Sequence, residues 1–252
     1  MTNVAISKKV FNGVYLPYLN DDHRFLIFYG GGGSGKSYFI AQLLIMRMMQ
    51  NDLCNVLVCR QVARTNRDST FALLRSVISK WGLDSLFTVH RGELRITCQN
   101  GNEMVFAGLD DPEKLKSITF AKGELTTVWL EEASEMSNAG LEQVNIRLRG
   151  GKSKKQVIIS FNPIDVNHWL KGRFFDRAFD NVQIVHTTYK DNQYLTAEQI
   201  EEIESNRNDK NWWRVYGEGK VGQLDGIIYD FEQIDALPEK SDGMIETYGL
   251  DF

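Results

Sequence analysis

At 252 residues, with 42% hydrophobic and 25% charged side chains, the sequence has the composition of one large globular domain, or of a domain with a small appendage. Its formal net charge of −4 provides no global basic field, so any contact with nucleic acid requires a local patch. No apolar run approaches the roughly 18 residues that span a bilayer, no signal-peptide core opens the chain, and Cys54, Cys59 and Cys98 form no C-x-x-C pair. Together these exclude a helical membrane protein and a zinc or disulfide framework, and they lead to the expectation of a cytoplasmic protein. The scattered His23, His90, His168 and His186 offer no metal-ligand spacing.

In chain order, Phe25 to Tyr29 is an apolar run expected to form a buried strand, and Tyr38 to Gln50 is compatible with a helix. Asn55 to Arg60 is a second buried strand by its content. Phe71, Leu74, Ile78 and Trp81 recur at helical spacing. Runs at 93–97 and 103–106 flank Asn100-Gly101, a hairpin signal. Thr126 to Leu130 is another strand. Leu141, Val144 and Leu148 mark a helix ended by Gly150-Gly151, and Gln156 to Ser160 is the next strand. Alternating strands and helices predict an α/β fold with a mainly parallel sheet. Val182 to Thr187 reads as one more strand. Thr196 and Gln199 form a capping box beyond it, with Leu195 and Ile200 as a hydrophobic staple. The aromatic run at Trp212, Trp213 and Tyr216 admits two readings, stacking on bases or packing on the main domain.

Between the first strand and the first helix lies Gly30-Gly31-Gly32-Gly33-Ser34-Gly35-Lys36-Ser37, which fits G-x-x-x-x-G-K-[ST]. Bare N–H groups and a helix N-terminus there converge on phosphate oxygens. Lys36 is expected to reach the β- and γ-phosphates and Ser37 to hold Mg²⁺, which implies ATP and Mg²⁺ as cofactors. The strand at 126–130 ends in Glu131-Glu132. Because side chains alternate across a strand, Glu131 is expected to face the metal and Glu132 to polarise water. Glu131 stands where Asp is usual. Asn162, followed by Pro163, closes the next strand and is either a γ-phosphate sensor or simply a turn residue.

These pieces together resemble the ATPase domain of the tailed-bacteriophage terminase large subunit. The resemblance also rests on Arg60, Glu131-Glu132-Ala133, Asn162-Pro163, His186 to Asn192, Tyr216-Gly217-Glu218 and the terminal Gly249-Leu250-Asp251-Phe252. It implies a RecA-like P-loop core of the additional-strand, catalytic-glutamate type over residues 1–180 and a lid over 181–244. It further implies the start of an RNase H-like nuclease domain at 245–252, with Asp251 as that domain's first metal-binding acid. One such acid cannot assemble a two-metal site, so nuclease activity is expected only of a longer protein.

Many relatives carry an arginine where this sequence has Gly32, so the resemblance points to another cation at the γ-phosphate. Arg60 is the candidate within the chain; Lys116, Lys122, Arg147 and Arg149 are candidates for a finger reaching into a neighbouring subunit. Phe11, Tyr15 and Pro17 either pack on the adenine or strap the core. The implied function is packaging of double-stranded DNA into a procapsid, with a portal protein, a small terminase subunit and a ring of like subunits as partners. The implied location is the cytoplasm of an infected bacterium, with no place in the mature virion. Alternative readings are a helicase-like P-loop ATPase and a nucleotide-gated ring-assembly module.

Overall fold

The computed structural model describes residues 4–149, 151–163, 165 and 167–220, and for 112–114 the backbone alone. The expected lid end, the nuclease start and Asp251 lie outside the described residues, as does Gly150.

Eight strands form one sheet: β1 (Phe25–Gly30), β2 (Asn55–Arg60), β3 (Phe87–His90), β4 (Arg95–Cys98), β5 (Glu103–Gly108), β6 (Leu125–Glu131), β7 (Gln156–Phe161) and β8 (Val182–Thr187). Their spatial order is β3-β4-β5-β2-β6-β7-β1-β8. Every pairing is parallel except β3–β4 and β4–β5. The helices include α1 (Lys36–Gln50), α2 (Thr70–Lys80), α3 (Pro112–Ser117), α4 (Asn138–Arg147), α5 (Trp169–Phe174) and α6 (Ala197–Ser205).

The parallel strands other than β8, at the sheet edge, are buried on both faces, which is why they read as continuous apolar runs. Alternation then divides their side chains between two cores. Leu26, Phe28, Trp129 and Ile158 meet α1 and α2 on one face, whereas Ile27, Val128, Leu130 and Ile159 meet Leu141, Val144, Leu170 and Phe174 on the other. Helix α1 lies between the sheet and the N-terminal segment, where Phe11 and Tyr15 are buried against Phe39. This explains why it is apolar nearly all round.

Position in the sheet matters most for β7. It is hydrogen-bonded to β1 on one side and to β6 on the other. It is therefore the additional strand, set between the strand that enters the glycine loop and the strand that ends in Glu131. Strand β8, which lies just past the expected boundary at 180, pairs with β1 along its whole length and is part of the same sheet. Three of these elements are not anticipated from the sequence: β3, which extends the hairpin by pairing with β4, and the short helices α3 and α5. The Thr196–Gln199 capping box forms as expected.

Candidate nucleotide site

The turn from β1 into α1 is tight at both ends. Gly30 has φ 141°, and a Cβ there would lie 1.7 Å from the Thr187 carbonyl oxygen. Gly35 caps α1 in the left-handed region, at φ 83°. Both positions require glycine.

Lys36 folds back into this loop. Its Nζ donates to the carbonyls of Gly30 and Gly31, both at 2.9 Å, to Ser34 Oγ at 3.1 Å and to Asn162 Oδ1 at 3.4 Å. Burial lowers its pKa to about 8, and the nearby Glu131 and Glu132 only partly oppose that shift.

Ser37 Oγ donates to Glu131 Oε1 at 2.5 Å, and Ser160 Oγ donates to Glu131 Oε2. Ser160 in turn accepts from the buried Trp129 Nε1 at 2.8 Å. The parallel register explains this chain: Glu131 stands opposite Ser160, and Trp129 opposite Ile158. Burial raises the pKa of Glu131, with the two serine hydroxyls pulling the other way. Glu132 follows with φ 55° and ψ 50°, a left-handed backbone uncommon for a residue with a Cβ. Its pKa is also raised, first by burial, against the opposing pull of Arg60.

Residues 32–38, Glu131, Glu132 and 160–162 line one cavity of about 260 Å³. The structure thus brings together Lys36, Ser37, both glutamates and Asn162. It does not bring Arg60 into that cavity. Arg60, at the end of β2, sits beside the acid pair with its Nη2 3.6 Å from Glu135 Oε2. Its buried Nε has no hydrogen-bond partner.

A second cavity of about 520 Å³ shares Gly35 and Tyr38 with the first and extends between Val10, Asn12, Lys80, Tyr194 and Leu195. Phe11 and Tyr15 are not on offer to a base there, because both are buried and packed on Phe39. The N-terminal segment is a strap at those positions. In the aromatic run near 212, Trp213 packs edge-on to Tyr189 and under Arg207, whereas Tyr216 is exposed. Another cleft, of about 380 Å³, opens at the opposite ends of the strands around Asp21, Arg47 and Lys154, far from these groups in the fold.

Sequence reasoning gives Ser160 no role, and it does not foresee that Tyr15 and Asn192 hold the glycine loop. Tyr15 Oη reaches the Ser34 carbonyl at 2.9 Å, and Asn192 Nδ2 reaches the Gly33 carbonyl at 2.7 Å. Asn192 and Gly33 are remote in sequence, and Tyr15 stands before β1, so no local signal marks either contact.

A phosphate-binding loop, an acid pair one strand away and a polar residue between them define a RecA-like P-loop protein of the additional-strand class. The sequence profile of the phage terminase large subunit family matches residues 22–220. The large subunit of the terminase of Bacillus phage SPP1 is 30% identical over 255 residues, covering 92% of this chain and 60% of that protein. The PBSX phage terminase large subunit of Bacillus subtilis (strain 168) is 29% identical over 236 residues, covering 86% of this chain and 52% of that protein. The chain belongs to the phage terminase large subunit family, and it spans between half and two thirds of the length of these two relatives.

The fold agrees with that of the large terminase from a thermophilic bacteriophage (TM-score 0.73, 20% identity, 88% of this chain and 57% of that one). The same thermophilic phage protein in complex with ATP-gamma-S matches with a TM-score of 0.64 at 19% identity, over 82% of this chain and 51% of that one.

Proposed function

We propose that this chain is the ATP-hydrolysing motor domain of a terminase large subunit, driving double-stranded DNA into a procapsid. The observation that carries the reading is the place of β7 between β1 and β6, which sets the phosphate loop, the acid pair and Asn162 around one cavity. On this reading the triphosphate occupies that cavity and the ribose and base the adjoining one, which shares Gly35 and Tyr38 with it.

Ser37 and Glu131 present only oxygen atoms and already approach to 2.5 Å. That donor set suits Mg²⁺, a hard cation that prefers oxygen ligands. When bound, the ion supplies positive charge to the phosphate oxygens.

Lys36 exchanges the loop carbonyls for the β- and γ-phosphate oxygens. Glu132 takes a proton from the water that attacks the γ-phosphorus; the bond to the bridging oxygen breaks, and ADP and inorganic phosphate depart. Burial raises the pKa of Glu132, which makes it a stronger base than an ordinary carboxylate. Asn162 offers a donor and an acceptor to the γ-phosphate and the water.

Among the described residues, Lys36 is the one cation lining the cavity. On this reading an isolated subunit binds ATP but turns it over slowly, and a neighbour in the ring supplies the second cation. Of the finger candidates, Lys122 already donates to the carbonyls of Asp52 and Asn100, and Arg147 to that of Ile118. Arg149, after α4, and Lys116 are both exposed, which favours these two. The proposed partners are DNA, a portal protein, a small terminase subunit and further copies of the chain, in the cytoplasm of the infected cell and not in the virion. No helix among the described residues is long and apolar enough to cross a membrane.

The test is a packaging assay with the full-length protein. Lys36→Ala loses nucleotide binding. Glu132→Gln binds ATP normally but neither hydrolyses it nor packages DNA. The lone cavity cation also suits a module that uses ATP to set ring contacts and barely hydrolyses it. Unimpaired packaging by Glu132→Gln would establish that second reading. Stimulation by a portal or small subunit separates a packaging motor from a helicase-like ATPase.

A further inference from the structure

A phosphate loop works by turning its N–H groups toward the ligand, so its carbonyls must point away and be satisfied elsewhere. Helix α1 takes the Gly35 carbonyl, through the Phe39 N–H. The carbonyls of Gly33 and Ser34 are taken by two side chains from opposite ends of the described chain, Asn192 and Tyr15.

We propose that Tyr15 and Asn192 are positioning residues that clamp the outward carbonyls of Gly33 and Ser34 and so hold the loop's N–H groups ready for phosphate. This rests on the reading of the loop as a nucleotide site.

Tyr15 is fully buried, stacked on Phe39 at 4.7 Å, and pinned in orientation by Thr187 Oγ1 at 2.9 Å. One phenol proton serves the Ser34 carbonyl while the phenol oxygen accepts from Thr187. Thr187 also holds the loop directly, because its carbonyl accepts from the Gly31 N–H at 3.1 Å.

Asn192 is fixed from its other end, where Oδ1 accepts from the Tyr194 N–H at 3.1 Å. The two ends of the clamp are tied together, since Asn12 Nδ2 donates to the Asp191 carbonyl at 2.8 Å and Tyr194 Oη to the Lys9 carbonyl at 2.6 Å. The stretch from Thr187 to Asn192, singled out in the sequence without a role, acquires one here.

The test uses full-length protein and the variants Tyr15→Phe and Asn192→Asp. The first keeps the ring and removes only the hydroxyl. The second keeps the acceptor for Tyr194 and removes only the donor to Gly33. Binding of ADP and of ATP-gamma-S is titrated at low and high salt, because the added charge of Asp is screened whereas the lost donor is not.

The expected result is a rise in Kd of about tenfold for both nucleotides in each variant, persisting at high salt, with KM raised and kcat within about twofold of wild type. A merely structural loss lowers the melting temperature or the fraction of competent sites and leaves the Kd of the remaining sites unchanged. Unchanged Kd values in folded variants, or a fall in kcat alone, overturn the clamp. If Tyr15→Phe does not fold, Asn192→Asp, in a partly exposed loop, decides the matter alone. If wild type itself binds neither nucleotide, the nucleotide reading of the site fails instead.

Discussion

The loop lysine makes the affinity for nucleotide depend on pH in a calculable way. Burial holds Lys36 near a pKa of about 8, below its ordinary 10.5. Phosphate oxygens against Nζ favour the charged form and return the group to its ordinary range or above. Empty protein at pH 9.5 then holds about thirty neutral lysines for each charged one, and binding must first protonate them. The apparent Kd for ADP should therefore be level below pH 8 and about thirtyfold weaker by pH 9.5. Calorimetry in two buffers of different ionisation heat should show uptake of close to one proton per nucleotide at pH 9 and about a tenth at pH 7.

Stability moves the other way. A lysine whose folded pKa is depressed costs stability fully below pH 8, and the cost is relieved as pH rises from 8 towards 10.5. The limit on that relief is about 3 kcal/mol. Empty protein should gain on this account over the window in which it loses nucleotide. A flat Kd from pH 7 to 9.5, with no buffer-dependent heat at pH 9, would refute the reasoning. It would mean that Glu131 and Glu132 outweigh burial at Nζ.

The glycines of the loop are predicted to be unequal. A Cβ on Gly31 would lie 2.3 Å from the Tyr216 carbonyl oxygen, so Gly31→Ala should destabilise by about 1–3 kcal/mol in denaturant titrations. Gly32 has nothing within 4 Å of a built Cβ, so Gly32→Arg, which introduces the arginine that the sequence resemblance leads one to expect there, should leave the melting temperature unchanged. Ser160→Ala leaves the buried Trp129 N–H without an acceptor and Glu131 without one of its donors. It should cost about 1–3 kcal/mol, and adding Trp129→Phe should recover part of that in a double-mutant comparison.

What is legible in the sequence is local. The glycine loop, the apolar strand ending in Glu131-Glu132 and the Asn100-Gly101 turn each depend on neighbours within a few residues, and each appears in the structure where expected. What is not legible depends on distance. Tyr15 meets Thr187 across 172 residues and Asn192 meets Gly33 across 159, and no periodicity encodes such pairs. Strand β8 is visible as a strand but reads as part of the lid, because its pairing with β1 is a property of the sheet and not of its own composition. Val182, Gln183 and Ile184 are only half-buried at this edge, which weakens the core signal of the segment. Arg60 is expected to serve the γ-phosphate because it ends a strand. The sheet order instead puts it beside β6, where its charge acts on the acid pair.

The hydrogen bonds of Lys36 connect occupancy of the site to its far wall. The Lys36 ammonium, with three N–H bonds, has four acceptors within reach: the two loop carbonyls, Ser34 Oγ and Asn162 Oδ1. On the proposed reading, phosphate draws Nζ away and the weakest of these contacts, the 3.4 Å one to Asn162, has least to hold it. Asn162 then turns its amide to the γ-phosphate and water, and loses that partner again when phosphate departs. It has little freedom to do so by backbone motion, because β7 is bonded on both sides and Pro163 follows at once. The change is then carried by the side chain of Asn162, while beyond Pro163 Trp169 of α5 is anchored through Nε1 to the Met136 carbonyl at 2.6 Å. That anchor lies just after Glu132 and its strained backbone. On the proposed reading, this contact joins α5 to the segment that follows Glu132 by a path outside the cavity.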